Sequence, residues 1–271
     1  MTAMTRVRFL LSLYLILWSS LCIGQTIDLD IKESQYKDVI PEIFYIETSS
    51  SNLAVNAFSR HSDFSVSFDN RFLIKELMNE EISSHIRIKE NVLDFRCTHF
   101  GWNHYGKFTA ALGYARRFGK HISIGLRFHY LMEHALEYPC IHSITFDVSL
   151  HTRIGKNVGL GFSVYNPARL KFGIIGKNLL PTRLHFNFDY SIGRNVLIYT
   201  QIEEELKSAF RIEIGAYYKI RCLILTPFFS FPTPSFGLKV HLAYQRFIFT
   251  ATGTYHLHVG FVPGIKISCL F

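Results

Sequence analysis

Apolar and polar positions alternate along most of this chain. From Lys120 to Tyr130, residues Ile122, Ile124, Leu126, Phe128 and Tyr130 fall on one side, while His121, Ser123, Gly125, Arg127 and His129 fall on the other. Successive side chains of a strand point to opposite faces, so this is a strand with one greasy face and one polar face. Ile144, Phe146, Val148 and Leu150 repeat the pattern, as do Val158, Leu160, Phe162 and Val164, and Leu184, Phe186, Phe188, Tyr190 and Ile192. From Val92 the alternation predicts strands near 92–100, 106–117, 121–131, 141–153, 157–165, 183–192, 195–203, 209–218, 222–230, 235–243, 247–254 and 264–271. Two weaker strands, His61–Asp69 and Ser83–Lys89, raise twelve to fourteen. Between them, Arg71–Ile82 spaces Phe72, Ile74, Leu77, Met78 and Ile82 more like a helix.

Many of these runs have the roughly 9–12 residues that a tilted strand needs to cross a bilayer. Soluble strands are commonly about half that. The connections alternate too. Those at Phe118–Lys120, Ile154–Lys156, Gly193–Arg194, Lys219–Arg221 and Tyr244–Arg246 are tight, while 132–140, 166–182 and 255–263 are longer. Short turns at one end and longer loops at the other belong to outer-membrane barrels. The expected fold is therefore all-β: a transmembrane antiparallel barrel of about fourteen strands over 61–271. An even count puts both ends of the barrel beside the tight turns, in the periplasm.

The start of the chain agrees. Arg6 and Arg8 precede the apolar run Phe9–Leu17, and small residues follow at Ser19, Ser20 and Gly24. The run is too short to span as a helix, so Met1–Gly24 reads as a cleaved secretory signal peptide and the destination as the outer membrane. Residues 25–60 are weakly periodic, with a small flexible spot at Ser49–Ser51. They form either a plug inside the barrel or a leader in the periplasm.

The formal net charge of +8 falls to +6 once Arg6 and Arg8 are removed. The basic residues are scattered, with no cluster or recognition helix, which argues against nucleic acid. Cys97, Cys140, Cys222 and Cys269 are widely spaced, with no CxxC pair. They read as isolated strand residues rather than a disulfide framework or zinc site. His256 and His258 share a strand face without a further ligand at supporting spacing, so no metal or cofactor is expected.

The polar faces carry Arg127, His129, Asp147, His151, His185, Asp189, Arg211, Glu213, Lys239 and His241. A barrel encloses that face, where such charges act as structural pairs, Arg211 with Glu213 for one, or as contacts for a passing solute. Gly113, Gly125, Gly159, Gly161, Gly215 and Gly237 lie among them and leave room for a plug or for bulky neighbours. Pro227 interrupts a strand and cannot donate to its ladder. It marks a wall kink, with a lateral gap to lipid as one outcome and a tolerated strand-end proline as the other. No GxSxG occurs, and His142 and Ser143, the adjacent His–Ser pair, face opposite sides of a strand. No catalytic residue is expected.

Asp69-Asn70-Arg71-Phe72 leading to Lys75-Glu76-Leu77, Phe100-Gly101 to Phe118-Gly119, Tyr165-Asn166-Pro167, Gly215-Ala216-Tyr217-Tyr218 before Arg221, Ser235-Phe236-Gly237 and the closing Phe271 form an ordered set of weak motifs. In that order, over Ser62 to Phe271, the chain resembles the PorV/PorQ-like outer-membrane proteins of Bacteroidota, relatives of the FadL-type barrels. The resemblance implies a FadL-like barrel of about fourteen strands. It also implies an accessory role in type IX secretion or envelope assembly, or else passive passage of hydrophobic molecules. Its implied partners are outer-membrane lipid, the barrel-assembly machinery that reads a terminal aromatic such as Phe271, and type IX components. Such proteins often carry a glycine-rich stretch ending in Asn-Pro-Ala; here Asn56-Ala57-Phe58 lacks the proline, so the resemblance does not carry an N-terminal hatch over.

Overall fold

A computed structural model of the chain describes residues 39–102, 104–136, 138–170, 180–206, 210–257 and 260–271. The expected signal peptide, the first part of the 25–60 segment, and His258 lie outside them. Fourteen strands follow one another: β1 (Asp63–Asn70), β2 (Met78–Ile88), β3 (Asn91–Trp102), β4 (Tyr105–Phe118), β5 (Ile122–Ala135), β6 (Ile141–Ile154), β7 (Val158–Tyr165), β8 (Arg183–Ile192), β9 (Val196–Glu205), β10 (Arg211–Ile220), β11 (Leu223–Phe231), β12 (Ser235–Tyr244), β13 (Phe247–His256) and β14 (Gly260–Leu270). Each pairs antiparallel with its sequence neighbours, and β1 pairs with β14, so the sheet closes on itself. Closure removes the open edges that a bilayer cannot satisfy.

The two faces sort as their alternation requires. Phe128 is 55% exposed and Phe186 40%, while Arg127 and Asp189 are 1% exposed each. Across β5 and β6, Phe128 stands opposite Phe146 on the outside and Arg127 opposite Asp147 on the inside. A lipid-facing Arg or Lys near the midplane costs about 2–4 kcal/mol, which explains why the charges turn inward. Six connections of two or three residues lie at one end of the barrel, and Ser62 and Phe271 exchange backbone hydrogen bonds there at 2.9 and 3.0 Å. That end is periplasmic, because outer-membrane barrels keep their short turns on that side.

Two stretches differ from the sequence expectation. Arg71–Ile82 is not a helix. It holds two single 3₁₀ turns, Arg71–Leu73 and Lys75–Leu77, and β2 then begins at Met78. Phe72 and Leu73 adopt φ of 59° and 60°, left-handed backbone that no α-helix of L-residues propagates. Ser49–Ser51 is no flexible spot: it is the pinned tip of a segment inside the barrel, and Ser49 is fully buried.

That segment is a hairpin. Helix α1 (Val39–Thr48) runs from the periplasmic end inward, the chain turns at Ser49–Asn52, and a short 3₁₀ helix, Leu53–Phe58, runs back. Pro41 is tolerated in the first turn of α1, where its missing N–H would find no partner in the helix. Nearly every residue of α1 is buried, and its apolar side chains lie all round the axis. Such a helix must be surrounded on all sides, and the barrel does this.

Candidate functional site

The lumen is divided into two unlike halves by the wall residues that face it. Along β1 to β6 the lining is ionic. His85 sits between Asp63 at 2.8 Å and Asp94 at 2.9 Å. Arg127 Nε reaches Asp94 at 2.6 Å, its Nη1 lies 3.7 Å from Asp147, and His129 meets the same Asp147 at 2.6 Å. Buried charges persist when paired and hydrogen-bonded. Here the spare donors hold the hairpin tip. Arg127 donates to the carbonyls of Ser49 at 2.8 Å and Ser50 at 3.3 Å, and Arg96 donates to the Ser49 hydroxyl at 3.0 Å.

Along β9 to β13 the lining is apolar and aromatic. Leu197, Tyr199, Tyr217, Ile224 and Phe228 pack on Ile40, Ile43 and Phe44 of α1. The Phe44 ring lies 6.2 Å from Tyr199 and 6.1 Å from Tyr217, with edge-on or tilted geometry. The charge in this half that α1 brings is Glu47, which pairs with Lys239 of β12. Burial alone would raise the Glu47 carboxyl, but Lys239, then His241 and Lys266, hold it down to about 2. Glu42, at the other end of α1, is raised by burial against the hydrogen bonds it accepts from Ser59 and Arg60.

Wall glycines of β4, β5 and β7 set where the return limb of the hairpin lies. A Cβ at Gly113 would lie 2.5 Å from Leu53, one at Gly125 3.1 Å from the Ala54 nitrogen, and one at Gly161 2.5 Å from Asn52. The wall there has no side chains, so the 3₁₀ helix can lie directly on it. Ser123 donates to the Ala54 carbonyl at 2.7 Å, and the Ala54 N–H donates to Ser149 at 3.1 Å.

Of the residues singled out in the sequence, Arg127, His129, Asp147, His151 and Asp189 are buried around the hairpin, and His241 lies between Thr226 at 3.2 Å and Thr250 at 2.9 Å. Lys239 meets Glu47. His185, Arg211 and Glu213 line the outer mouth, which His129 and Asp147 also reach, with Arg211 and Glu213 3.3 Å apart. Pro227 faces outward, paired with Leu238. On its other side the β10–β11 ladder lacks pairings for Ala216 and Tyr217, yet the register is the same above and below. It is the sole internal interruption among the described ladders. His142 faces out, 2.7 Å from the Tyr130 hydroxyl, and shares no face with Ser143. The ionic partners Asp63, His85 and Asp94 were not singled out, although His85 and Asp94 fall on the polar positions of their strands.

Outside the hairpin tip lies a cavity of about 470 Å³ open to the extracellular end. Its rim is ionic, with Arg96 3.5 Å from Glu81 and Arg183 3.3 Å from Glu205. One wall is apolar, built from Leu131 and Leu180 with Tyr165 against them. A smaller cavity of about 200 Å³ opens at the periplasmic end beside Glu42, Phe58, Arg153 and Arg194.

A closed fourteen-strand barrel with this sorting of faces is an outer-membrane β-barrel. No family model matches the chain, and no curated protein does. Solved structures do. The toluene transporter TodX of Pseudomonas putida superposes with a TM-score of 0.58 at 9% identity, covering 82% of this chain and 93% of TodX. The monoaromatic hydrocarbon channel CymD gives 0.57 at 9% identity over 83% of this chain and 92% of its own. A FadL homologue from Pseudomonas aeruginosa gives 0.56 at 7% identity over 82% and 92%. At such identities the likeness concerns the fold alone.

Proposed function

We propose that the protein is a plugged, FadL-like passive channel of the outer membrane for small, largely apolar molecules. The observation that carries this reading is a coincidence of place. The interruption at Ala216–Tyr217 and Thr226–Pro227 lies directly outside the apolar half of the lumen, beside Phe44, Tyr217 and Phe228. A solute with an apolar body thus has an apolar wall at the outer mouth, an aromatic cluster below it, and a weakened seam toward lipid. The fold shared with a toluene transporter and a monoaromatic hydrocarbon channel supports a solute of that size, which a mouth of about 470 Å³ admits. The ionic half then serves to anchor the hairpin, and the residues Arg127, His129 and Asp147 act as structural pairs.

The accessory role in type IX secretion implied by the PorV/PorQ resemblance is the second reading. It is favoured by one feature: the hairpin fills the lumen and ties itself to both walls, as a barrel acting through its surface alone allows. Deleting the gene separates the two. The channel reading expects slower uptake of monoaromatic compounds and an unchanged secreted proteome, with uptake restored by the wild-type gene. Loss of secreted proteins with unchanged uptake would remove it in favour of secretion.

A further inference from the structure

The bases that look scattered in the sequence are gathered by barrel closure. The six tight turns carry Lys89, Lys120, Lys156, Arg194, Arg221 and Arg246, one each, and all are exposed. The one acid in these turns is Glu90, and Arg117 holds it at 2.5 Å. Positive charge therefore rings the periplasmic rim. The first residue of each two-residue turn, Lys89, Arg221 or Gln245, is left-handed, so this geometry does not by itself select a base.

Next to each base is an exposed apolar side chain on the lipid face: Ile88, Phe118, Ile154, Ile192, Ile220 and Tyr244. Arg116 lies on the lipid face itself, its guanidinium 5.5 Å from the centre of the Phe118 ring. That is the posture of a side chain whose stem covers apolar surface while its head reaches the polar boundary. The opposite rim is mixed in sign, with Glu133, Glu203, Glu204 and Glu205 among its bases.

We propose that this ring binds the phosphate groups of anionic phospholipids in the periplasmic leaflet. The distribution favours lipid over a protein. A protein partner covers one arc of a rim, whereas lipid surrounds the whole circumference, and the bases occur at every hairpin. A base near an anionic surface is worth about fivefold in association. The proposal holds whichever solute the lumen passes.

The test uses the folded full-length barrel in phosphatidylcholine vesicles carrying spin-labelled phosphatidylglycerol or spin-labelled phosphatidylcholine. The motionally restricted fraction should favour phosphatidylglycerol by about fivefold at low salt. The preference should fall toward one in high salt and in the variant K120Q/K156Q/R194Q/R221Q, whose folding is verified by heat-modifiable gel mobility. A variant of the other rim, K75Q/R183Q, should keep it. Equal restriction of the two lipids, an unchanged preference in the fourfold variant, or equal loss in both variants would overturn the proposal. So would binding of soluble polyglutamate to the detergent-solubilised barrel without a lipid preference in vesicles, which would assign the ring to an acidic soluble partner.

Discussion

Arg127 concentrates most of the residue-scale argument. It is the shared partner of Asp94 and Asp147, and it also donates to two carbonyls of the hairpin tip. Arg127→Met should cost about 3–5 kcal/mol, because it leaves two buried carboxylates with one histidine each in place of a shared guanidinium, rather than removing a balanced pair. Urea unfolding in detergent, followed by the heat-modifiable band, measures this. A loss under 1 kcal/mol would show that the network is dispensable. Glu47 predicts a pH dependence. Its carboxyl is held at about 2 against an ordinary value of 4.5. A depressed carboxylate stabilises the folded state above its unfolded value, and that contribution is lost as pH falls through the window between the two. Hairpin anchoring should therefore weaken from about pH 4.5 down to about pH 2, read by hydrogen exchange in α1, and Glu47→Gln should flatten this limb. Glu42, shifted the other way, contributes with opposite sign, so the Glu47 variant is the informative one.

At the scale of elements, the wall glycines and Pro227 make the sharpest predictions. Gly113→Val together with Gly161→Val should push the 3₁₀ helix off the wall. The expected result is a higher ion conductance in planar bilayers and new protease cleavage near Ser49–Phe58; unchanged conductance with an intact hairpin would refute it. Pro227→Ala restores the missing donor and should slow uptake of monoaromatic compounds while leaving heat-modifiable mobility unchanged. Equal uptake by the variant would dissociate the wall interruption from transport. The strands were legible because a half-lipid, half-lumen strand must alternate, and twelve of them stand close to where the pattern puts them. The hairpin was not. α1 is apolar on every side, so it has no helical stripe to detect, and its surroundings exist only once the wall has closed. The interval 71–82 misled for the opposite reason: chance spacing of Phe72, Ile74 and Leu77 mimicked a helix that the left-handed backbone forbids. Within the lumen, alternation identified which residues share the inner face but not who pairs with whom. Arg127 and Asp147 are direct cross-strand neighbours, whereas Asp94 reaches Arg127 from a strand two places away.

For the whole molecule, charge and hydropathy are organised along different directions. Apolar and polar character separate across the wall, while net charge differs along the barrel axis, basic at the periplasmic rim and mixed at the other, which no linear reading of one base per hairpin displays. The protein should fractionate with the outer membrane and change gel mobility on heating; recovery from the soluble periplasm would remove every conclusion above. Finally, the seam that shuts the ring joins Ser65 to Ser268 at 2.8 Å, 203 positions apart. Until β14 has been synthesised and delivered, the free flank of β1 has nothing to bond, and unbonded flanks invite wrong partners. The longer that delivery takes, the longer the nascent polypeptide is open to pairing with its fellows, and ring closure, which joins the most distant parts of the chain, should be among its slowest steps.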